Sequence, residues 1–454
     1  MGEKLTKNEL SWCFYDWANS VYATIIMAAI FPIYFTTAAE AAGVSGDVVW
    51  GYGTSISTAI IAVSAPILGS IADFRGMKKR LISIFVIIGC VFTISMALFD
   101  NWQMMLLGYI ISYVGFAGSC LFYDSFLTDV TTPERMDIVS AKGYAFGYIG
   151  GSTIGFFIGV ALVMFAPQLH ISNSTAVKIC VILTAVWWAV FSIPLLKNVR
   201  QIHYIERPES GIARAALRNI WHTAQDILGN RGLLLFTIAY FFYIDGVGTV
   251  IHMATSYGTS LGLGSTGMIL ALAVTQIVAV PCSIAFARIA KRIGARAMLM
   301  IGISIYVVVC VLGFYMGFSL ENAQLAAQAV LDGGGTQAAY DAIYEPALHL
   351  SQTLFWVLAA LVGTSQGGMQ ALSRSQFGKM IPPARSNEFF GFFDIFGKFA
   401  TIIGPLLYAI CANSTGRSSI GILGLLILFA IGLIILWRTP KEAFTVDRSA
   451  ADNN

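Results

Sequence analysis

The chain has 454 residues, of which 57% are hydrophobic and only 11% are charged. Soluble domains carry about 25% charged residues, so the composition excludes a soluble globular protein and predicts an all-α integral membrane protein. The net charge of +3 is no sign of nucleic-acid binding, because the basic residues follow a membrane pattern. The seven cysteines lack metal-ligand spacing, and neither a metal nor another cofactor is predicted.

Apolar runs that can each cross a bilayer, which takes about 20 residues, predict twelve transmembrane helices arranged as two six-helix bundles. The first six lie near 14–37, 49–72, 81–99, 103–127, 141–165 and 177–196. The second six lie near 233–255, 266–289, 297–317, 350–373, 388–411 and 419–437. We therefore predict bundles over 1–199 and 232–439, a linker over 200–231 and a tail over 440–454. The amphipathic linker run 212–228 fits either a helix on the membrane surface or a flexible tether.

The basic residues predict the orientation. All but three of the 27 Lys and Arg fall at the termini, in the linker or in loops on the same side, and the exceptions are Lys178, Arg417 and Lys398. The positive-inside rule then places both termini and the linker in the cytoplasm. The long loop over 318–349 has four acidic and no basic residues, so we expect it outside. The short loops favour the inner (plasma) membrane of a bacterium.

A charged loop over 69–80, GSIADFRGMKKR, separates the second and third predicted helices. It is similar to the loop signature of the major facilitator superfamily, which implies that it stabilises one conformational state. A simple positive-inside anchor is the alternative interpretation. The residues predicted to form this conformational switch are Gly69, Asp73, Arg75, Gly76 and Lys79, together with Arg374 near the end of the tenth helix.

The two halves share short patterns that indicate an internal duplication. Pro133 and Arg135 match Pro383 and Arg385 at the same spacing, each pair opening the fifth helix of its half. In the first half, glycines at 147, 151 and 155 recur every fourth residue, which predicts a close crossing with another helix.

Ionisable residues inside apolar helices are costly and therefore candidates for function. Asp16 shares one face of the first helix with Asn19 and Tyr22, and it either lines a cavity or lies at the cytoplasmic interface. Near the end of the fourth helix, Asp129 is predicted to be a solvated helix-end residue. Asp124 lies about one turn deeper and is predicted to face a cavity or gate.

Asp245 lies near the middle of the seventh helix, beside two glycines. A lone carboxylate in hydrocarbon favours its neutral form, which suits a proton site. His252, two turns away, would extend a proton path or bind substrate, or it is an interfacial histidine. Tyr243 belongs to an aromatic run that is more typical of packing, but it is a candidate for lining the cavity.

Further polar candidates lie in the tenth and eleventh helices. Asp394 and Lys398 are four residues apart and could form an intrahelical ion pair. Alternatively, Lys398 pairs with Asp245 or holds an acidic group of a substrate. Gln366 and Gln370, one turn apart, would present a hydrogen-bonding face to a substrate.

Several of these stretches together resemble the UMF1 family, which includes the autophagy-related vacuolar amino-acid effluxers of fungi and bacterial permeases. The similar stretches are YDWANS, FYDSFLTDVTTPER, GYAFGYIGG, FFYIDGV, QALSRSQFGKMIPP and EFFGFFDIFGKF. The resemblance implies a secondary carrier of the major facilitator fold. The chain departs from the family pattern at Asp124, where Asn is more frequent, and at His252, which puts substrate and coupling in doubt.

We therefore predict a secondary active transporter that moves a small solute by alternating access. Amino acids or related metabolites are the leading substrate class, export is favoured by the resemblance, and protons are a candidate coupling ion. Its predicted partners are membrane lipid and the solute, with no nucleic acid and no obligate protein partner. The alternatives are a lipid or lysolipid transporter or scramblase, and a membrane-embedded lipid-modifying enzyme, although the sequence lacks HExxH and phosphate-loop motifs.

Overall fold

The structure is a computed structural model that describes residues 4–206 and 212–444. It describes the backbone alone at residues 47, 212–215, 217, 218, 265, 266, 269 and 398–401. Twelve helical segments of the described chain are long and apolar enough to cross a membrane, which confirms the predicted number. The chain divides into two compact units, which are described separately.

Among the described residues, unit 1 comprises 4–206, 212–230 and 374–395. Its first three spans are formed by α1 (Lys7–Tyr22) with α2 (Ile30–Ala41), α3 (Gly46–Ala72) and α4 (Met77–Leu98). The next three are α5 (Trp102–Ser125) with α6 (Leu127–Val130), α7 (Met136–Ile149) with α8 (Phe156–Met164), and α9 (Asn173–Asn198). The linker contributes α10 (Ile212–Gly229), which packs against α3. The linker run therefore forms a helix on unit 1.

Among the described residues, unit 2 comprises 231–373 and 396–444. It contains the spans α11 (Arg231–Ser260), α12 (Ser265–Ile293) and α13 (Ala295–Asp332), and most of α14 (Gln337–Met380) and α15 (Ser386–Thr415). The last span is formed by α16 (Ser418–Gly424) and α17 (Leu426–Arg438). The end of α14 and the start of α15 belong to unit 1, so residues 374–395 pack with the first six spans although they lie in the second half of the sequence.

The predicted close crossing of glycines occurs where α7 meets α1. A Cβ atom on Gly143 would lie 2.7 Å from Asp16 Oδ2, and one on Gly147 would lie 2.6 Å from Ser20 Oγ. The chain then passes through a π-helical segment, Gly150–Gly155, where a Cβ on Gly151 would collide with the α1 backbone at Val21. Glycine is therefore required here because two helix backbones approach each other closely.

The segment expected to be a long loop is helical, and that part of the prediction was wrong. At 1.5 Å per residue, the 38 residues of α13 and the 44 residues of α14 extend about 57 and 66 Å, well beyond the roughly 30 Å of hydrocarbon. Residues 318–349 therefore form a helical hairpin that turns at Gly334, whose φ is +83°. Alanine, leucine and glutamine are strong helix formers, and the stretch AQLAAQAVL supplies them.

Candidate functional site

A largely buried ion cluster of unit 1 surrounds Arg374, whose side chain is 4% exposed. Its Nη1 donates to Asp124 Oδ1 at 2.8 Å, and its Nη2 donates to Asp16 Oδ2 at 3.4 Å. Its Nε donates to Ser140 Oγ at 3.0 Å, and Tyr123 Oη donates to Asp16 Oδ2 at 2.6 Å. The end of α14 is thus held by carboxylates of α1 and α5 and by the start of α7.

Three aromatic rings complete the surroundings of the Arg374 guanidinium. Its central carbon lies 4.5 Å from the ring centroid of Tyr144, 4.7 Å from Trp12 and 5.3 Å from Tyr123. A guanidinium over an aromatic face is attracted by the ring quadrupole, more strongly where water is excluded. Arg374 is therefore satisfied by two carboxylates, a hydroxyl and three rings, and it ties residues of four helices together.

The charged loop between α3 and α4 forms a second connection to residues 374–395. Asp73 is 1% exposed, and its Oδ1 accepts hydrogen bonds from Asn387 N at 2.9 Å and Asn387 Nδ2 at 2.7 Å. Its Oδ2 accepts one from Glu388 N at 3.0 Å. The first amides of a helix lack partners within that helix, and Asp73 caps the first turn of α15 by accepting from two of them. A Cβ on Gly69 would collide with the Asn387 carbonyl oxygen, which explains the glycine there.

Burial raises the pKa of Asp73 to about 7, because the carboxyl is removed from water. The Lys78 ammonium and the Asn387 and Glu388 donors offset only part of that cost. Lys78 is itself fully buried, and its Nζ donates to Asp129 Oδ2 at 2.7 Å and to Ser386 Oγ at 3.0 Å. The prediction of a solvated Asp129 was wrong, since the residue is 5% exposed and ion-paired.

The other residues of the predicted switch loop contact the linker. Arg75 lies 3.3 Å from Glu206 in an exposed ion pair. Gly76 has a φ of +74°, which suits glycine, and its N–H donates to Gln201 Oε1 at 2.9 Å. Lys79 Nζ donates to the carbonyl of residue 199 at 2.9 Å. The loop therefore joins α15 through Asp73 and the linker through the residues that follow.

Asn19 and Tyr22 pack against α5. Asn19 Nδ2 lies 3.7 Å from Cys120 Sγ, and Tyr22 Oη lies 2.7 Å from Ser112 Oγ. Together with Asp16, these side chains make one face of α1 that is directed at α5. This arrangement makes Asn19 and Tyr22 helix-packing contacts in the described conformation.

In unit 2, Asp245 is 1% exposed. Its Oδ1 accepts a hydrogen bond from Gly404 N on α15 at 3.0 Å. Neither its Oδ2 nor the nearby Thr249 Oγ1, both buried, has a hydrogen-bond partner within the described part of the chain. A Cβ on Gly404 would collide with Thr249 Oγ1. A glycine is therefore needed for the α15 backbone to come close to this carboxyl.

The remaining predicted residues of unit 2 are dispersed. Tyr243 is buried and its Oη lies 2.6 Å from Ser373 Oγ, while His252 is exposed on α11. Gln366 is 8% exposed and Gln370 is half-buried on α14. Asp394, assigned to unit 1, is also half-buried. The Lys398 side chain lies outside the described residues, so its predicted pairing with Asp394 or Asp245 stays a prediction.

The sequence did not reveal several partners in these clusters. Asn387, Ser386 and Ser140 are small polar residues at helix starts, a position that ordinary capping also explains. Lys78 was visible in the loop only as part of a basic run. A signal did exist for a contact of the loop itself, because the matching loop signature implied that the loop stabilises one conformational state.

Comparisons with known proteins agree with this architecture. The family model described as vacuole effluxer Atg22 like matches residues 47–448. YxiO of Bacillus subtilis (strain 168), an uncharacterized MFS-type transporter, is 43% identical over 452 residues, which are 98% of this chain and 97% of YxiO. Autophagy-related protein 22 of Cryptococcus neoformans var. neoformans serotype D is 26% identical over 300 residues, and the match spans 64% of this chain and 50% of that protein.

Among solved structures, the fucose:proton symporter FucP of E. coli matches with a TM-score of 0.65 at 12% identity, covering 96% of this chain and 98% of FucP. At that identity the likeness shows the fold alone. The chain belongs to the family of Atg22-like vacuole effluxers, within the major facilitator superfamily. It is a multi-pass membrane transporter of the secondary type and not an enzyme, as the family model and the relative YxiO indicate.

Proposed function

We propose that this transporter exports a small solute across the plasma membrane of a bacterium and couples that movement to protons through Asp245. Amino acids and related metabolites are the leading substrate class, as the family resemblance implies. The distribution of Lys and Arg supports cytoplasmic termini. The bacterial relative YxiO supports the plasma membrane.

The single observation that carries proton coupling is the environment of Asp245. One oxygen accepts an N–H from Gly404, and the other has no partner among the described residues. A buried carboxylate without a cation is strongly disfavoured, whereas a neutral carboxyl can donate its proton to a nearby hydroxyl. Thr249 offers such a hydroxyl, itself unpartnered among the described residues. This arrangement favours a protonated Asp245 in the described conformation and release of the proton in another.

Residues 374–395 supply the proposed conformational switch. Arg374 and the first turn of α15 are held to the first six spans by Asp16, Asp124 and Asp73. In alternating access, we propose that these contacts break and re-form once per transport cycle. The many polar partners favour one discrete arrangement, because a partly broken cluster would leave buried charges uncompensated.

The test is transport by purified protein in proteoliposomes with a pool of radiolabelled amino acids. We expect exchange without a gradient and uphill accumulation when a proton gradient is imposed. Asp245→Asn keeps an acceptor for the Gly404 N–H but carries no exchangeable charge, so exchange should persist while gradient-driven accumulation is lost. Asp332→Asn, at an exposed acid of the helical hairpin, is the matched control and should behave like the unmodified protein.

The outcomes separate coupling from substrate. Gradient-driven accumulation that persists in Asp245→Asn, with the same rate and pH dependence, would contradict proton coupling at this residue. Exchange of another class of solute would overturn the substrate assignment and leave the coupling proposal intact.

A further inference from the structure

Unit 2 contains a cavity of about 90 Å³, several times the roughly 10–15 Å³ that one water molecule needs. Five helices surround it: α11, α12, α13, α14 and α16. Most of its wall is aliphatic or aromatic, and representative residues are Ile251, Leu272, Val309, Phe355 and Ile422. The cavity lies apart from Asp245, which is not among its lining residues.

Two hydrogen bonds hold this wall in place. Tyr257 Oη on α11 donates to the Gly313 carbonyl of α13 at 2.7 Å. Thr275 Oγ1 on α12 donates to the Ala359 carbonyl of α14 at 3.0 Å. Both hydroxyls are therefore satisfied by the protein, and they connect neighbouring helices across the cavity. The polar groups that remain for a ligand are those of two glutamines.

Gln276 on α12 and Gln366 on α14 contribute the amide side chains of the cavity wall. Gln366 is 8% exposed, and no hydrogen bond joins its side chain to another described residue. Gln276 Oε1 is buried and has no partner within the described chain. Buried amides normally have partners, and an unsatisfied one carries a desolvation cost. A ligand that donates and accepts hydrogen bonds would remove that cost.

The composition of the wall also excludes charged ligands. No Asp, Glu, Lys, Arg or His is among the residues that line the cavity in the described part of the chain. An ionic group that entered would lose its hydration without gaining a counter-charge, which is strongly unfavourable. Apolar surface, in contrast, gains free energy when it leaves water for such a wall.

We propose that this cavity is a binding site for a small, uncharged, mainly apolar molecule that carries one amide or a similar donor–acceptor group. Gln366 and Gln276 pair with that group, and the aliphatic and aromatic wall encloses the apolar part. The site is formed by unit 2 alone. Its binding is measured without a transport step, so the proposal is independent of proton coupling at Asp245.

The test uses isobutyramide as the probe and isobutyrate as its charged counterpart of nearly the same shape. Binding to the full-length protein in lipid nanodiscs is measured by saturation-transfer NMR on the probe methyl groups, with empty nanodiscs as the blank. We expect saturable binding of isobutyramide and at least tenfold weaker binding of isobutyrate. Gln366→Leu keeps the bulk but removes the amide, and it should weaken isobutyramide binding about three- to tenfold, the effect of one neutral hydrogen bond.

A neighbouring pair of substitutions on α14 provides the matched control. Ala359→Leu fills the cavity and should abolish binding, whereas Ala360→Leu adds the same carbons at a residue that does not line it and should leave binding unchanged. Equal binding of amide and carboxylate, an amide signal that survives Ala359→Leu, or no binding of isobutyramide would each overturn the proposal. If Ala359→Leu fails to fold, the Gln366→Leu variant and the isobutyrate comparison still decide the question.

Discussion

Both units bury carboxylates inside membrane helices, but they compensate the charge differently. In unit 1, Asp16 and Asp124 share the guanidinium of Arg374. In unit 2, Asp245 receives one backbone N–H, and no described side chain supplies a cation. A paired carboxylate stays ionised and holds structure, whereas an unpaired one gains by taking up a proton. We therefore propose that the first site holds helices in position and that the second exchanges a proton.

The largest expected effect comes from removing the cation in unit 1. Arg374→Met leaves the carboxylates of Asp16 and Asp124, whose side chains are 12% and 33% exposed, without their cation, and breaking a buried ion pair costs at most about 3–5 kcal/mol. We expect a clear loss of thermal stability in detergent and no transport. Adding Asp124→Asn to Arg374→Met should restore part of the stability, because one orphan charge is removed. Equal stability of Arg374→Met and the unmodified protein would contradict the described cluster.

Asp73 is an intermediate case, a carboxyl held by amides and only partly by a cation. Burial raises its pKa from 3.8 to about 7, so the capped arrangement binds a proton more tightly than the released one. Its contact with α15 should therefore be strongest at low pH. The equilibrium constant for the contact should fall by at most about tenfold per pH unit between about pH 4 and 7, and it should stay constant above pH 7.

Hydrogen exchange of the Asn387 and Glu388 amides measures that contact. Protection, after correction for intrinsic exchange, should fall over this pH range in the unmodified protein. In Asp73→Asn it should be independent of pH, because the side chain no longer titrates. Protection that rises with pH would show that the ionised carboxylate is the form that caps the helix.

A smaller effect is expected from two glycines of the same loop. Gly69→Ala places a methyl group against the Asn387 carbonyl, and overpacking of this kind costs about 1–3 kcal/mol. It should increase exchange at Asn387 and Glu388. Gly76→Ala meets no atom within 4 Å, and its left-handed backbone costs about 1–2 kcal/mol locally. If both variants change exchange at α15 equally, the close approach at Gly69 is not what holds the contact.

The smallest effect is expected at the exposed ion pair. Arg75 and Glu206 have side chains that are 63% and 69% exposed, and such pairs contribute less than about 1 kcal/mol. Arg75→Gln should leave thermal stability nearly unchanged, in contrast to Arg374→Met. A large loss of stability would show that charge at the loop surface, and not burial, determines how firmly this loop is held.

The sequence predicted those features that depend on local pattern. Runs of apolar residues predicted the twelve spans, and the position of Asp245 within one of them predicted a carboxyl removed from water, which is 1% exposed. The partners of Arg374 could not be found in the same way, because Asp16 and Asp124 are 358 and 250 residues away. The hairpin over 318–349 was wrongly predicted to be a loop because its acidic and polar residues are untypical of a membrane span. Its alanines nevertheless favour a helix.

The linker and Asp129 show a second limit. Position along a helix suggested that Asp129 reaches solvent, yet its carboxylate accepts backbone hydrogen bonds from Ile202 and His203 at 2.9 and 2.8 Å. The linker covers this helix end, and no periodicity in the sequence encodes that docking. Burial by a distant segment is thus the feature that local reasoning failed to supply.

The central claim, that Asp245 holds a proton where Asp124 does not, is tested most directly by infrared difference spectroscopy of purified protein at neutral pH. An Asp73→Asn background removes the carboxyl between α3 and α4 whose pKa burial raises to about 7. Our account predicts a protonated carboxyl C=O band that disappears in Asp245→Asn and is unchanged in Asp124→Asn. A band that survives in Asp245→Asn, or that disappears in Asp124→Asn, would contradict it.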